Sequence, residues 1–184
     1  MAAESFGPSA ILTPANAVTI ARLCVTPFFL AMVIGGGDSW PAVAAWILLT
    51  ATDGVDGYIA RRQGTTRSGA FLDPLADKVL VLGALFALVA ADVFWWLPVV
   101  VIAVREFAVS GFRSVLGRRG ISVPARWWAK VKTVVQEVAV GFALLPLTAD
   151  ERWVSSSVLW VAVALTLVTG AQYFLEGGKH VRAV

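Results

Sequence analysis

Six long apolar stretches alternate with short polar breaks along the chain. The stretches cover residues 17–36, 41–61, 74–93, 95–116, 127–147 and 153–174. Each reaches the length of about 20 mainly apolar residues that a helix needs to cross a bilayer. The breaks between them, such as GGGDS and TADER, are too short for a second domain. The pattern predicts an all-α, polytopic membrane protein with six transmembrane helices and a single domain over residues 1–184.

The segment before the first stretch does not have the pattern of a cleavable signal peptide. Its start, MAAESFGPSA, lacks a basic leading region ahead of an apolar core. The following SFGPSAILTPAN has room for a short interfacial helix, and Pro14 suits the first turn of the next helix. We therefore expect the first spanning helix itself to direct insertion.

The composition supports the membrane class. Of the 184 residues, 58% are hydrophobic and 15% are charged, whereas about a quarter of the residues are charged in a typical soluble domain. The basic residues flank the apolar stretches and form no run with interleaved aromatic residues. We therefore expect contacts with membrane lipids and no binding to nucleic acid.

The charges in the breaks predict the orientation. Arginines concentrate in the breaks after the second and fourth stretches, and the tail adds Lys179 and Arg182. The alternate breaks carry mainly Asp and Glu. By the positive-inside rule, both termini and the basic breaks lie in the cytoplasm, and the protein is a multi-pass protein of a bacterial inner membrane.

Four aspartates interrupt the apolar pattern around the second break. Asp53 and Asp56 lie in the second stretch, and Asp73 and Asp77 lie at the start of the third. Helical spacing places each pair on one face, and a tight connection allows the two helices to aim all four carboxylates at one point. Such an oxygen cluster suits Mg²⁺ or Mn²⁺. A proton relay or a cation path in a transporter is the alternative reading of the same residues.

Three small or basic residues share the face of the first aspartate pair. Gly57 and Ala60 leave space beside the carboxylates, and Arg61 can donate two hydrogen bonds to a phosphate. With a pair of metal ions, these residues predict a site for a metal-bound diphosphate. Close helix packing is the structural alternative for Gly57 and Ala60.

Eight residues across positions 53–77 match in type and spacing the signature of the CDP-alcohol phosphotransferase family, which the chain therefore resembles. They are Asp53, Asp56, Gly57, Ala60, Arg61, Gly69, Asp73 and Asp77. The resemblance implies a six-helix membrane enzyme, a homodimer, with its active site open to the cytoplasm. It implies transfer of the phosphatidyl group of CDP-diacylglycerol to an alcohol, with release of CMP.

The same resemblance implies a role for each signature residue. The four aspartates would hold two Mg²⁺ or Mn²⁺ ions, and Asp77 would also be the catalytic base for the acceptor hydroxyl. The CDP moiety would lie against Gly57, Ala60, Arg61 and Gly69.

Three further stretches resemble family members that use glycerol 3-phosphate as the acceptor. They are LTPANAVTIARLCVTPFFL with Asn16, Thr19 and Arg22 at i, i+3 and i+6, GAFLDPLADKVLV, and REFAVSGFRSVLGRRG followed by WWAKVKTVVQ. The sixth stretch carries no such motif. The resemblance implies synthesis of phosphatidylglycerophosphate, a step of phospholipid biosynthesis. Phosphatidylglycerol, as in a cardiolipin synthase, and inositol phosphate are the alternative acceptors.

A phosphorylated acceptor needs cationic donors near the catalytic base. Arg105 and Arg113 lie eight apart on the fourth stretch, which lets both face one cavity. Lys130 and Lys132 on the fifth stretch point roughly 200° apart, so only one of them faces inward. These four residues are the candidates for acceptor binding.

Ion pairs within the helices are the structural alternative for these cations. Glu106 lies seven residues before Arg113 on nearly the same helix face, and Glu137 lies seven residues after Lys130. Each glutamate could therefore neutralise one of the candidate cations.

Overall fold

The computed structural model describes residues 13–63, 67–118 and 127–182, without the side chains of 55–63, 67, 70, 71, 118, 129 and 176–182. These residues form six α-helices, one short 3₁₀ helix at Pro146–Thr148 and no β-strand. The helices are α1 Pro14–Gly36, α2 Trp40–Gln63, α3 Arg67–Ala90, α4 Trp96–Arg118, α5 Trp127–Leu144 and α6 Arg152–Arg182. The predicted all-α class is confirmed.

Helix α1 begins where the sequence predicts. Pro14 is its first residue, and the Thr13 side chain caps it by accepting a hydrogen bond from the backbone N–H of Asn16 at 3.1 Å. The helix ends before Gly37, whose φ of 57° requires the conformational freedom of glycine. The predicted interfacial helix lies outside the described residues.

Two helices extend beyond the apolar stretches that predict them. Helix α3 begins at Arg67 rather than at residue 74, so Gly69 and Asp73 lie within it, and Pro74 is accommodated inside the helix. Helix α6 continues to Arg182, past the predicted end at residue 174. Hydropathy predicts the part of a helix that is apolar, whereas the backbone hydrogen bonds continue through the polar turns.

The bundle has an apolar half and a polar half. In the apolar half, the C-terminal parts of α1, α3 and α5 pack with the N-terminal parts of α2, α4 and α6, so that successive helices run in opposite directions. Its fully buried side chains include Phe29, Val33, Leu80, Leu85, Leu88, Val99, Ile102, Val140, Leu144 and Leu159. The other half contains most of the buried polar side chains of α1, α5 and α6, among them Asn16, Lys132 and Thr166.

Helix α1 connects the two helices that carry the signature aspartates. It packs extensively against both α2 and α3, whereas those two helices touch each other only slightly. On the other side of the bundle, α6 packs against α5 and α4. Asp53 of α2 and Asp73 of α3 therefore face polar side chains of α1.

Within the described residues, two helices are long and apolar enough, by length and composition alone, to cross a membrane. They are Pro14–Gly36 and the Arg152–Leu175 part of α6. The count of six membrane spans stays a prediction.

Adjacent phenylalanines on α1 test this packing. Phe29 is 2% exposed and stacks on Trp46 with ring centroids 5.7 Å apart, whereas Phe28 is 76% exposed. We expect Phe29→Ala to lower the free energy of unfolding in detergent by about 3 kcal/mol, because it leaves a cavity between α1 and α2. Phe28→Ala, the matched control, should change it by less than about 0.5 kcal/mol. Equal losses for the two variants would contradict this orientation of α1.

Candidate active site

The polar half contains the described side chains of three signature aspartates. Asp53 lies on α2, and Asp73 and Asp77 lie on α3. The side chains of the predicted site residues Asp56, Gly57, Ala60 and Arg61 lie outside the described part of the chain. Gly69 is buried in the first turn of α3.

A stripe of buried polar residues on α1 contacts α2 and α3. Asn16 donates a hydrogen bond to the hydroxyl of Ser68 at 3.1 Å, and Thr19 donates one to Asp73 Oδ1 at 2.9 Å. Arg22, which is 2% exposed, forms an ion pair with Asp53. A helix that buries three polar side chains must have partners for them. The sequence carried that signal, but no site role was predicted for this stripe.

Asp77 lies at the centre of the charges in this half. Its carboxylate is repelled by Asp53 and Glu106 and attracted by Arg22 and Lys132. Glu137 on α5 is a further half-buried carboxylate, which Asp77 and Asp53 repel. The site therefore combines several carboxylates whose mutual repulsion favours a bound cation.

The oxygen ligands that Asp53, Asp73 and Asp77 offer are of the type that hard divalent cations prefer. Asp53 and Asp73 each direct one oxygen, Oδ1, to a residue of α1, and all donors are carboxylate oxygens, the ligands that Mg²⁺ and Mn²⁺ prefer. The described side chains contain no group of three or more metal-binding residues. Asp53, Asp73 and Asp77 therefore do not form a metal site by themselves, and the side chain of the fourth predicted ligand, Asp56, lies outside the described part of the chain.

A polar cavity of about 190 Å³ lies beside Asp77, between α3, α4, α5 and α6. Its polar lining consists of Asp77, Lys78, Arg105, Glu106, Ser110, Arg113, Lys132, Thr133 and Tyr173. The structure thus brings three of the four predicted acceptor-binding cations to the predicted base. Lys130 is exposed and does not line this cavity, whereas Lys132 is 4% exposed. The prediction that only one of these two lysines faces inward is confirmed.

Glu106 pairs with cations other than the predicted one. Its Oε1 accepts a hydrogen bond from Arg105 at 2.8 Å and forms an ion pair with Lys132 on α5. The alternative pair with Arg113 does not form, because residues seven apart are separated by roughly 10 Å along a helix and nearer cations are available. Within the described residues, Glu137 likewise forms no ion pair with Lys130.

The remaining cations of the lining differ in their partners. Lys78 donates a hydrogen bond to the hydroxyl of Ser110 on α4. Arg113 forms no ion pair or hydrogen bond with any side chain that the structure describes, and it is exposed at the cavity. Arg113 is therefore the arginine of this lining with the most capacity for an anionic ligand.

Comparison with known proteins identifies the family. Residues 12–168 match the CDP-alcohol phosphatidyltransferase family. The chain belongs to this family. The resemblance seen across residues 53–77 is thereby confirmed, and the protein is an enzyme rather than a cation-coupled transporter.

Bacterial phosphatidyltransferases resemble this member of the family over most of its length. A "Probable phosphatidylglycerophosphate synthase" of Mycobacterium tuberculosis is 42% identical over 97% of this chain and 88% of its own length. A "CDP-diacylglycerol--glycerol-3-phosphate 3-phosphatidyltransferase" of Bacillus subtilis is 39% identical, over 91% of this chain and 96% of its own. A protein of the same name from Haemophilus influenzae is 35% identical, over 85% and 88%.

Two glutamates of the polar half should respond differently to loss of their charge. We expect Glu106→Gln to lower the free energy of unfolding by about 3 kcal/mol, because it leaves the buried ammonium of Lys132 without its carboxylate. Glu137→Gln should leave stability unchanged or raise it, because it removes a carboxylate that Asp53 and Asp77 repel. Unfolding of both variants in detergent measures this. A stable Glu106→Gln variant would contradict the assigned ion pair.

Proposed function

We propose that this enzyme transfers the phosphatidyl group of CDP-diacylglycerol to glycerol 3-phosphate, giving phosphatidylglycerophosphate and CMP in phospholipid biosynthesis. The observation that carries this proposal is the cationic cavity whose wall includes Asp77. The names of the bacterial relatives describe the same reaction for those proteins. A base and a phosphate-binding surface in one cavity are what a phosphorylated alcohol requires.

The cavity supports a small dianionic acceptor. Arg113 has donors available, and Lys132 and Lys78 add charge on two other walls. A phosphate dianion forms charge-assisted hydrogen bonds with such donors, which an uncharged alcohol does not. The volume of about 190 Å³ favours glycerol 3-phosphate over phosphatidylglycerol with its acyl chains. Inositol phosphate, with the same charged group and a larger ring, is the second candidate acceptor.

Asp77 is the proposed general base. With the acceptor phosphate bound to the cations, the sn-1 hydroxyl lies toward the Asp77 carboxylate, which takes its proton. The hydroxyl oxygen then forms a bond to the phosphorus that carries the diacylglycerol. The bond from that phosphorus to the CMP oxygen breaks, and CMP leaves.

The donor side of the site follows from the family signature. Asp53, Asp56, Asp73 and Asp77 would hold one or two Mg²⁺ or Mn²⁺ ions, which when bound would neutralise charge on the diphosphate and the leaving group. Arg22 and Thr19 orient Asp53 and Asp73 for this role from α1. The CDP moiety would lie along Gly57, Ala60, Arg61 and Gly69.

The outer surface supports the proposed arrangement in a membrane. Large apolar side chains such as Leu48, Val104 and Phe107 are more than half exposed. Exposed tryptophans stand at both ends of the bundle, Trp40, Trp95, Trp96 and Trp153 at the apolar end and Trp127 and Trp128 at the site end. Tryptophan prefers the two membrane–water interfaces. We place all six helices, as one domain, across the bacterial inner membrane.

The basic breaks support a cytoplasmic location for the site end and for both termini. There, the water-soluble acceptor reaches the cavity directly, and CDP-diacylglycerol enters from the bilayer. The family resemblance adds a homodimer to this proposal.

The reaction is tested by CMP release from purified protein with CDP-diacylglycerol and Mg²⁺. Glycerol 3-phosphate, inositol phosphate and phosphatidylglycerol are compared as acceptors. We expect release with glycerol 3-phosphate and at least about 100-fold less with phosphatidylglycerol, because its phosphodiester carries only one negative charge and fewer free oxygens for the cations of the cavity. Release with inositol phosphate alone would keep the chemistry and replace the acceptor. No release with any acceptor would contradict the proposed function.

A further inference from the structure

The guanidinium of Arg105 is held by the protein on every nitrogen. Its Nε donates to the backbone carbonyl of Thr166 at 3.1 Å, and a terminal nitrogen donates to the Thr169 hydroxyl at 2.9 Å. The other terminal nitrogen donates to Glu106 at 2.8 Å. Arg113, in the same lining, has no such partners among the described side chains. Arg105 is thus a fixed part of the cavity wall.

Helix α6 has a gap in its surface where Arg105 crosses it. A Cβ atom on Gly170 would lie 3.2 Å from both Cγ and Nε of Arg105, closer than nearly all real Cβ contacts. The arginine must cross this glycine to reach Thr166 and Thr169. Gly170, Thr166 and Thr169 therefore form a seat for Arg105 on a helix whose sequence shows no family motif.

The fixed arginine controls the position of a second cation. Glu106 uses the same oxygen, Oε1, for Arg105 and for Lys132. Lys132 lines the polar cavity and interacts electrostatically with Asp77. If Arg105 moves, Glu106 loses one of its two anchors, and the ammonium of Lys132 moves with it.

Arg105 also separates two environments. It borders the polar cavity and an apolar groove of about 470 Å³ on the outer side of α4 and α6, lined mainly by Val, Leu and Phe side chains. Its guanidinium contacts face the polar groups, and its alkyl chain lies along α6 at Gly170. The side chain therefore also closes the acceptor cavity against the apolar surroundings.

We propose that Arg105 is a positioning residue, held in the seat formed by Thr166, Thr169 and Gly170, which through Glu106 sets the place of Lys132 and thereby the affinity for the phosphorylated acceptor. This inference rests on the proposed function. It assigns acceptor contact to Arg113 and Lys132, and it gives α6 a part in acceptor recognition.

Steady-state kinetics of variants in the seat test the proposal. Thr169→Val removes the hydroxyl that accepts a hydrogen bond from Arg105. Gly170→Ala adds a methyl group that would be too close to the Arg105 side chain in its present position. Each should raise KM for glycerol 3-phosphate by about tenfold, the effect of one hydrogen bond to a charged group. The KM for CDP-diacylglycerol and kcat should stay within about twofold of the wild-type values, since the donor site is untouched.

Three further variants make the test specific. Thr169→Ser keeps the hydroxyl and should restore the wild-type KM. Gly111→Ala on α4, where a Cβ meets nothing within 4 Å, is the matched control for Gly170→Ala. In an Arg105→Met background, Thr169→Val should cause no further rise in KM, because both changes break the same contact.

The outcomes separate this inference from the function on which it rests. Active protein with an unchanged acceptor KM in both seat variants would overturn the positioning role. A parallel loss of kcat, thermal stability and both KM values would also overturn it, because that pattern indicates a structural role alone. Wild-type protein that releases no CMP with glycerol 3-phosphate would overturn the proposed function and this inference together.

Discussion

A charged side chain inside an apolar helix bundle needs a partner, and the polar half of this protein is organised by that requirement. Helix α1 provides Arg22 for Asp53 and Thr19 for Asp73. On the opposite side, Glu106 pairs with both Lys132 and Arg105. Leaving the buried Arg22 or Lys132 without its partner would cost several kcal/mol. The ion pairs therefore link α1 to α2 and α4 to α5 at the site end.

The charged side chains outside these ion pairs indicate which ligands the site binds. Asp77 and Glu137 are placed among other carboxylates, and Arg113 is exposed at the cavity without an ion pair among the described side chains. A bound cation on one side of Asp77 would balance the carboxylates, and an anionic acceptor on the other side would pair with Arg113. A bundle optimised for stability alone would not place these carboxylates together next to an arginine that forms no ion pair with the described side chains.

Much of the fold follows from hydropathy, and the site follows partly from helical geometry. Six apolar stretches predicted six helices, and the angle between Lys130 and Lys132 predicted that one of them faces inward. The start of α3 at Arg67 was missed, because its first turns are polar. The partners of Glu106 were also missed, because they depend on how α4 approaches α5, which no spacing within one helix contains. The part of Thr166, Thr169 and Gly170 in holding Arg105 could not be predicted for the same reason.

The central claim is that cations beside Asp77 bind the acceptor while Asp77 itself acts as the base. The most direct test is equilibrium binding of glycerol 3-phosphate to Asp77→Asn protein, with CDP-diacylglycerol present because this variant should not turn over. We predict that Asp77→Asn protein binds glycerol 3-phosphate but not glycerol. Adding Arg113→Gln to this variant should remove the binding. CMP release by Asp77→Asn protein should be about 10²- to 10⁴-fold lower than by the wild type. Loss of binding in Asp77→Asn alone, or near-normal CMP release from it, would contradict the account.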